Sequence, residues 1–462
     1  MMTAATEEQS ESLVNADSPE TRVSIETLPT KGPLMESVDR NRASFQNNRG
    51  LVAKEDFTAL GDGSSAWWTM GAHEIPQYII ETIDGNVLAL LPEGTEIISI
   101  DPHGNSNWTR SAEIQTELDG EPRSYFIKAT HFRSGRVMYH SEYESLKAMH
   151  NALPGICPEP IGWGCYASDS SVFFLLCHFV EIFNEPADPQ LLPPLLARLH
   201  QQAVAPDGMY GWHVVIAGGR IPVVVGKSDS WEDFFTRYMR HMFRAEEITQ
   251  GPRTPELERL SSLLFTRLIP RLLRPLETGG RNIVPTLLHT NLWDGNLGVK
   301  EDGEPIIFDP MSMYGHNEFD IGVWYHPRQK TGMTFINNYH HWYPRSAPEE
   351  DSHGRYLLYT LAFEARVAAT KVGNPLYRNE MVRYMTELEA QYPDSYEDWA
   401  RKRNEPAFPP KNRLEVEAHA HQDGHFGMTP HNAYRGGHYY SFVVLPPPSP
   451  VQVPAWVIYA AC

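Results

Sequence analysis

The chain has 462 residues, with 39 lysines and arginines against 58 aspartates and glutamates, a formal net charge of −19. A surface of that sign repels phosphate backbones and anionic headgroups, so neither nucleic acid nor a membrane surface is expected as a partner. No window reaches the roughly 18 uninterrupted apolar residues of a spanning helix, and MMTAATEEQSES is acidic where a secretory signal would be basic and then apolar. A cytoplasmic protein is the expectation. Cys157, Cys165, Cys177 and Cys462 form no CxxC pair and read as reduced thiols.

The length suggests two or three folding units. Residues 1–72 are rich in Ser, Thr, Glu and Asn without an apolar period and read as a mostly disordered leader, with Trp67 and Trp68 as its packing anchors. Residues 73–178 form the first folded unit. IPQYIIETI, VLALL and TEIISID are apolar runs of strand or single-helix length, WTRSAEIQTEL alternates, LDGEP turns, and YFIKAT resumes as a strand ending in a lysine. In SEYESLKAMHNAL, Glu142, Leu146 and Met149 share a helical face with Ser141 as the expected cap. VFFLLCHFV then reads as a buried strand.

Residues 179–403 carry helical patterns, among them LLPPLLARLHQQ, WEDFFTRYMRHMF and RYLLYTLAFEARVAATKV, with strands at IVPTLLH and PIIFD. The tail, 404–462, is rich in proline and histidine and reads as poorly ordered. His419, His421, His425, His431 and His438 lack the strict frame of a zinc site.

The chemistry lies in an ordered set of polar residues: Lys128 closing a strand, Glu142 on the next helix, the loop His289 to Asn296, and Asp309 closing the strand IIFD. A phosphoryl-transfer enzyme of two lobes needs these parts in this order. One cation holds nucleotide phosphates, one acid orients that cation, and two oxygen ligands hold magnesium. The loop LLHTNLWDGN keeps the spacing H-x-D-L-x-x-x-N except at the acid, which is Asn291.

The longer stretch LLHTNLWDGNLGVKEDGEPIIFDPMSMYGHNEFDIG resembles the signature of the fructosamine and ketosamine 3-kinase family, whose usual form is HGDLWxGN, a strand ending in Asp-Pro, and YGHxExD. The resemblance implies an α+β, bilobal protein-kinase-like (aminoglycoside phosphotransferase-like) fold with a β-rich small lobe and a helical large lobe. It also implies ATP-dependent phosphorylation of a ketosamine, free or on a protein. By position, Lys128, Glu142, Cys177 and Phe179 would bind ATP, Asn296 and Asp309 would hold Mg2+, Trp293 would shape the sugar pocket, and His289 would belong to the catalytic loop. Asp320 is expected to cap a helix or brace that loop.

The loop departs from this pattern at Thr290, where the family has glycine, and at Asn291, where it has the aspartate base. Asparagine can accept a hydrogen bond but has no carboxylate to take a proton. Asp294 is the nearest substitute base, and Thr290 would be strained if glycine's place has positive φ. No GxGxxG loop is present; backbone amides with Ser106 or Ser111 would have to serve the phosphates. Three readings follow: a ketosamine kinase, a pseudokinase that binds nucleotide or ketosamine and acts through a regulatory protein partner, and a kinase redirected to another hydroxylated metabolite.

Overall fold

The computed structural model describes residues 75–405 except 106–107, 132–133 and 184–185. The expectations for the leader with Trp67 and Trp68, for Ser106 and for the tail histidines lie outside the described residues. IPQYIIETI and VLALL form a 3-10 turn, Gln77–Ile80, and a short helix α1, Gly85–Leu88. Asp84 caps α1 and also accepts the amide of Ala167 at 2.7 Å, which ties this segment to the sheet.

Five antiparallel strands follow: β1 (Glu96–Asn105), β2 (Arg110–Leu118), β3 (Glu121–Thr130), β4 (Pro160–Cys165) and β5 (Phe173–His178), in the spatial order β1-β2-β3-β5-β4. The two-residue period of β3 sorts its side chains by face. Tyr125, Ile127 and Ala129 pack with Ile79, Val87, Phe174 and Leu176 into an outer core. Phe126 and Lys128 point the other way, into a cleft.

Helix α2 (Gly135–Ala152) crosses behind the cleft. It begins earlier than the sequence suggested, because Val137 and Tyr139 already bury one face, and Ser134 holds the cap position. Ser141 is therefore not a cap: it lies inside α2, where its hydroxyl accepts the amide of Ala217 at 3.2 Å. Gly135 is required, since a Cβ there would stand 2.6 Å from Thr130.

The second lobe holds β6 (Ile182–Phe183), α3 (Leu192–Gln202), β7 (Ile216–Gly218), β8 (Ile221–Val223), α4 (Trp231–Gln250), α5 (Pro255–Leu263) and α6 (Ile269–Leu273). Short strands β9 (Thr286–Leu288), β10 (Leu297–Lys300), β11 (Pro305–Ile307) and β12 (Met313–Gly315) come next, then α7 (Glu318–Gly322), α8 (Gly332–Trp342), α9 (Ser352–Thr370), α10 (Pro375–Gln391) and α11 (Tyr396–Lys402). β9 pairs with β12, and β10 lies between β11 and β6, so the segments flanking the LLH and IIFD motifs are anchored on both sides. α9 runs through the main core, with Leu357, Leu358, Leu361, Ala362 and Ala365 buried against α4 and α10. Among the described residues no helix is long and apolar enough to cross a membrane.

The core of this lobe contains a buried histidine. His316 meets the Tyr359 hydroxyl through Nδ1 and Ser346 Oγ through Nε2, each at 2.8 Å. Burial outweighs the nearby Glu318 and pushes its pKa down to about 3, from an ordinary 6.5. The folded state therefore holds it neutral. Its contribution to stability is complete above about pH 6.5 and is lost as pH falls toward 3. The melting temperature should fall between pH 7 and pH 4, and thermal melts of His316→Gln should show a shallower fall; parallel slopes would remove His316 as a cause.

Candidate active site

A cavity of about 440 Å³ opens between the inner face of the sheet and the loops and α9 of the second lobe. Lys128, Glu142, Cys177, Phe179, Asn291, Trp293 and Asp309 all line it. Lys128 Nζ donates to Glu142 Oε1 at 2.8 Å and to Asp309 Oδ1, joining β3, α2 and the turn after β11. Burial opposes the Lys128 charge, but the two carboxylates outweigh it and hold the pKa above its usual value. Burial likewise pushes Asp309 up, and the ammonium beside it wins, leaving the carboxyl below its usual range. Burial pushes Glu142 up to about 7, against the pull of the Lys128 ammonium.

On the sheet side, β5 delivers Cys177 opposite Phe126, and the Phe179 ring meets His103 edge-on with centroids 5.2 Å apart. Burial, with Glu142 adding to it, pushes the Cys177 thiol up, so it serves as an apolar wall and not as a nucleophile. Ser111, buried on β2, also lines the cavity, along with His103 and Gly104 near the end of β1.

The loop after β9 is fixed mainly by one buried carboxylate. Asp320 Oδ2 accepts the amide of His289 at 2.7 Å, and Oδ1 accepts that of Thr290 at 2.5 Å. Asp320 also meets His200 Nε2 at 3.1 Å. His289 lies behind the cavity wall, its Nε2 donating to the Phe308 carbonyl at 3.0 Å and its Nδ1 accepting the Asn291 amide at 3.1 Å. Burial pushes its pKa down to about 4. With both ring nitrogens engaged, His289 positions the loop and does not exchange protons with a ligand.

Thr290 adopts φ +60°, the left-handed region that glycine enters without cost, and Asp309 does the same at +61°. Thr290 Oγ1 donates to the Met311 carbonyl at 2.7 Å, partly offsetting the strain. Asn291 is held at both ends of its side-chain amide. Its Nδ2 donates to the Asp309 carbonyl at 2.9 Å, and its Oδ1 accepts from Arg366 at 3.0 Å. Trp293 folds over Gly295, where a Cβ would stand 2.1 Å from the indole.

Asp294 is not brought to the cavity. Its carboxylate accepts the Lys330 amide at 2.6 Å, its own amide binds Gln329, and it is absent from the cavity wall. Asn296 lies behind the wall too: Nδ2 donates to the Asn291 carbonyl at 2.9 Å, while Oδ1 is buried without a partner. An orphaned amide oxygen in the 3-10 turn that leads into β10, the strand paired with the one that ends near Asp309, matches the hard-oxygen donor set of magnesium, so the residues present fit that ion.

The sequence reading missed Trp108, Arg328, Arg366, Lys371 and Tyr377, all on the cavity wall. A signal existed for Arg366. With Arg355 and Glu364 it is one of three charges in the mainly apolar RYLLYTLAFEARVAAT, and a charge inside a helix buried all round needs a partner or a purpose.

With this geometry in view, comparison with known proteins is informative. A model of the fructosamine kinase family matches residues 105–380, more than half the chain. The chain belongs to the fructosamine kinase family. It is 31% identical over 237 residues to the chloroplastic protein-ribulosamine 3-kinase of Oryza sativa subsp. indica, covering 51% of this chain and 65% of that relative, just under two thirds of its length. To the ketosamine-3-kinase of Mus musculus it is 30% identical over 226 residues, covering 44% of this chain and 70% of the relative. A crystal structure of a candidate fructosamine-3-kinase from Thermobifida fusca superposes with a TM-score of 0.50 at 19% identity, covering 64% of this chain and 95% of that one. The fold is the bilobal protein-kinase-like one, with a sheet-rich first lobe and a helical second lobe.

The strain at Thr290 can be separated from its hydroxyl bond. Thr290→Gly removes a conformational cost of about 1–2 kcal/mol but loses a hydrogen bond of similar worth, so stability should change by less than about 1 kcal/mol. Thr290→Val keeps the strain and loses the bond, and should melt at least about 3 °C below the glycine variant. Equal melting temperatures of these two variants, both of which lack the hydroxyl bond, would show that the positive φ carries no strain.

Proposed function

We propose that this member of the family is a magnesium- and ATP-dependent kinase that transfers a phosphoryl group to a sugar hydroxyl of a ketosamine, free or attached to a protein. The observation that carries the reading is the three-way contact of Lys128 with Glu142 and Asp309, an arrangement with no structural need for a cavity beside it. Lys128 is the cation for the nucleotide phosphates, and Glu142 keeps it pointed into the cavity. Phe126, Cys177 and Phe179 form the apolar wall for the base. Asp309 and Asn296 would hold magnesium, which when bound neutralises phosphate charge. Trp293 closes the sugar side.

Asn291 orients the acceptor hydroxyl without taking its proton. Transfer through a loose transition state depends mainly on positioning and electrostatics, so the proton can leave late and to water. The test is ADP formation with magnesium and a panel of fructosamines and ribulosamines. Native protein should turn over, and Lys128→Met and Asp309→Asn should each lose about 100-fold or more. No ADP from any ketosamine would sink the kinase reading.

A second reading, nucleotide binding without efficient turnover, is favoured by the side-chain amide of Asn291, which is already engaged at both ends. Calorimetry separates the two, since only the second gives ATP binding with no product. In either case restoring the acid should fail as a repair. An aspartate at 291 would set a carboxylate against the Asp309 carbonyl and beside the Arg366 guanidinium, which holds its pKa down and weakens it as a base. Asn291→Asp should raise kcat by less than about tenfold, against the roughly 100- to 10,000-fold of an effective general base. A gain above 100-fold would show that position 291 is free to act.

A further inference from the structure

Arg366 is the most anomalous charge in the cavity. Its residue is 7% exposed, and its guanidinium reaches an amide oxygen, Asn291 Oδ1 at 3.0 Å, and a thioether, Met311 Sδ at 2.7 Å. Among the described residues it makes no ion pair. Asp309 acts on this guanidinium only through space; burying an ion without a direct ion pair costs several kcal/mol, and an arginine cannot escape by losing its proton. A leucine or methionine would fill the same place on α9 at no such cost.

The surroundings preserve this charge. Gly218 leaves room for its stem, since a Cβ there would stand 3.3 Å from Arg366 Cδ. The nearby Arg328 is already neutralised by Glu364 at 2.5 Å. Lys371, at the end of the same helix, also lines the cavity; it lies 5.9 Å from the Trp108 ring centroid and makes no ion pair among the described residues. In a chain of net charge −19, the cavity thus presents, besides Lys128, two cations that make no ion pair among the described residues.

We propose that Arg366, with Lys371 lining the same cavity, is a specificity site for a small oxyanion, a carboxylate or phosphate ester, carried by the acceptor. The proposal rests on the kinase reading and names its substrate class: an acidic ketosamine. The contact to Asn291 places the guanidinium on the acceptor side, whereas Lys128, Glu142 and Asp309 serve the nucleotide phosphates. An aspartate at 291 would have neutralised Arg366, so the asparagine leaves its charge available to a ligand.

The experiment measures kcat/KM and, with magnesium and ADP present, calorimetric binding. It uses the ribulosamine formed on glycine, its near-isostere formed on ethanolamine, and a ribulosamine 5-phosphate formed on ethanolamine. Native protein should prefer at least one acidic compound over the neutral one by tenfold or more, and which one identifies the anion. Arg366→Met should erase the preference while ATP affinity changes less than threefold, and Arg366→Lys should retain part of it. The proposal is overturned if native protein does not discriminate, if Arg366→Met discriminates equally, or if Arg366→Met loses ATP affinity in parallel, which would assign the guanidinium to the nucleotide. Discrimination in binding with no ADP from any compound would overturn the kinase reading and leave the anion site standing.

Discussion

A single ammonium group joins the parts of this molecule that would otherwise have no reason to stay together. Lys128 belongs to the sheet, Glu142 to the helix behind it, and Asp309 to a turn in the second lobe 181 positions along the chain. The charges of Lys128 and Glu142 are largely removed from water and that of Asp309 is partly removed, so each depends on the others. Deleting one partner of such a group leaves a buried ion uncompensated, at a cost of about 3–5 kcal/mol, which is why the contact constrains the fold as well as the site. The alternation of β3 follows from it: Lys128 reaches the cleft only because Ile127 and Ala129 face the outer core.

Asp320 performs the same service one layer deeper. Held in the first turns after β12, its carboxylate gathers two consecutive backbone amides and a histidine, a density of hydrogen bonds that fixes both φ and ψ of the loop. That rigidity is what allows Thr290 to remain left-handed. Strain of this kind persists where neighbours over-determine the backbone, and here the over-determined residue directly precedes Asn291. The loop is thus held rigidly although it departs from the resembled pattern at both Thr290 and Asn291.

Much of this was legible in the sequence for physical reasons. Strand alternation around YFIK, the helical face of Glu142, Leu146 and Met149, and the paired apolar flanks of the loop all encode local geometry, and local geometry is what periodicity reports. The positive φ of Thr290 was readable too, because glycine's usual place implied it. The start of α2 was not, since GRVMYH carries no cap signal beyond Ser134 and the burial of Val137 and Tyr139 depends on the sheet. Asp294 misled because an acid near a site in sequence carries no direction; the Lys330 amide, 36 positions away, decides where it points. Arg366 was missed because its partner Asn291 is 75 positions distant and because charges in a mainly apolar helix are easily taken for surface residues.

The pair formed by Asn291 and Arg366 changes how the missing acid should be understood. Seen as a lone substitution, asparagine for aspartate is a loss: one carboxylate fewer at the point of proton transfer. Seen with its neighbours, the amide does two things a carboxylate could not do together, donating to the Asp309 carbonyl while accepting from Arg366 without neutralising it. The donation supports a turn whose central residue is itself left-handed and carries the carboxylate bound to Lys128. The acceptance orients a guanidinium and leaves its charge intact. Proton acceptance is exchanged for a fixed positive potential at the same wall, and a cation there favours ligands that arrive already ionised. The loop, the turn after β11 and α9 are therefore tied together by one side-chain amide.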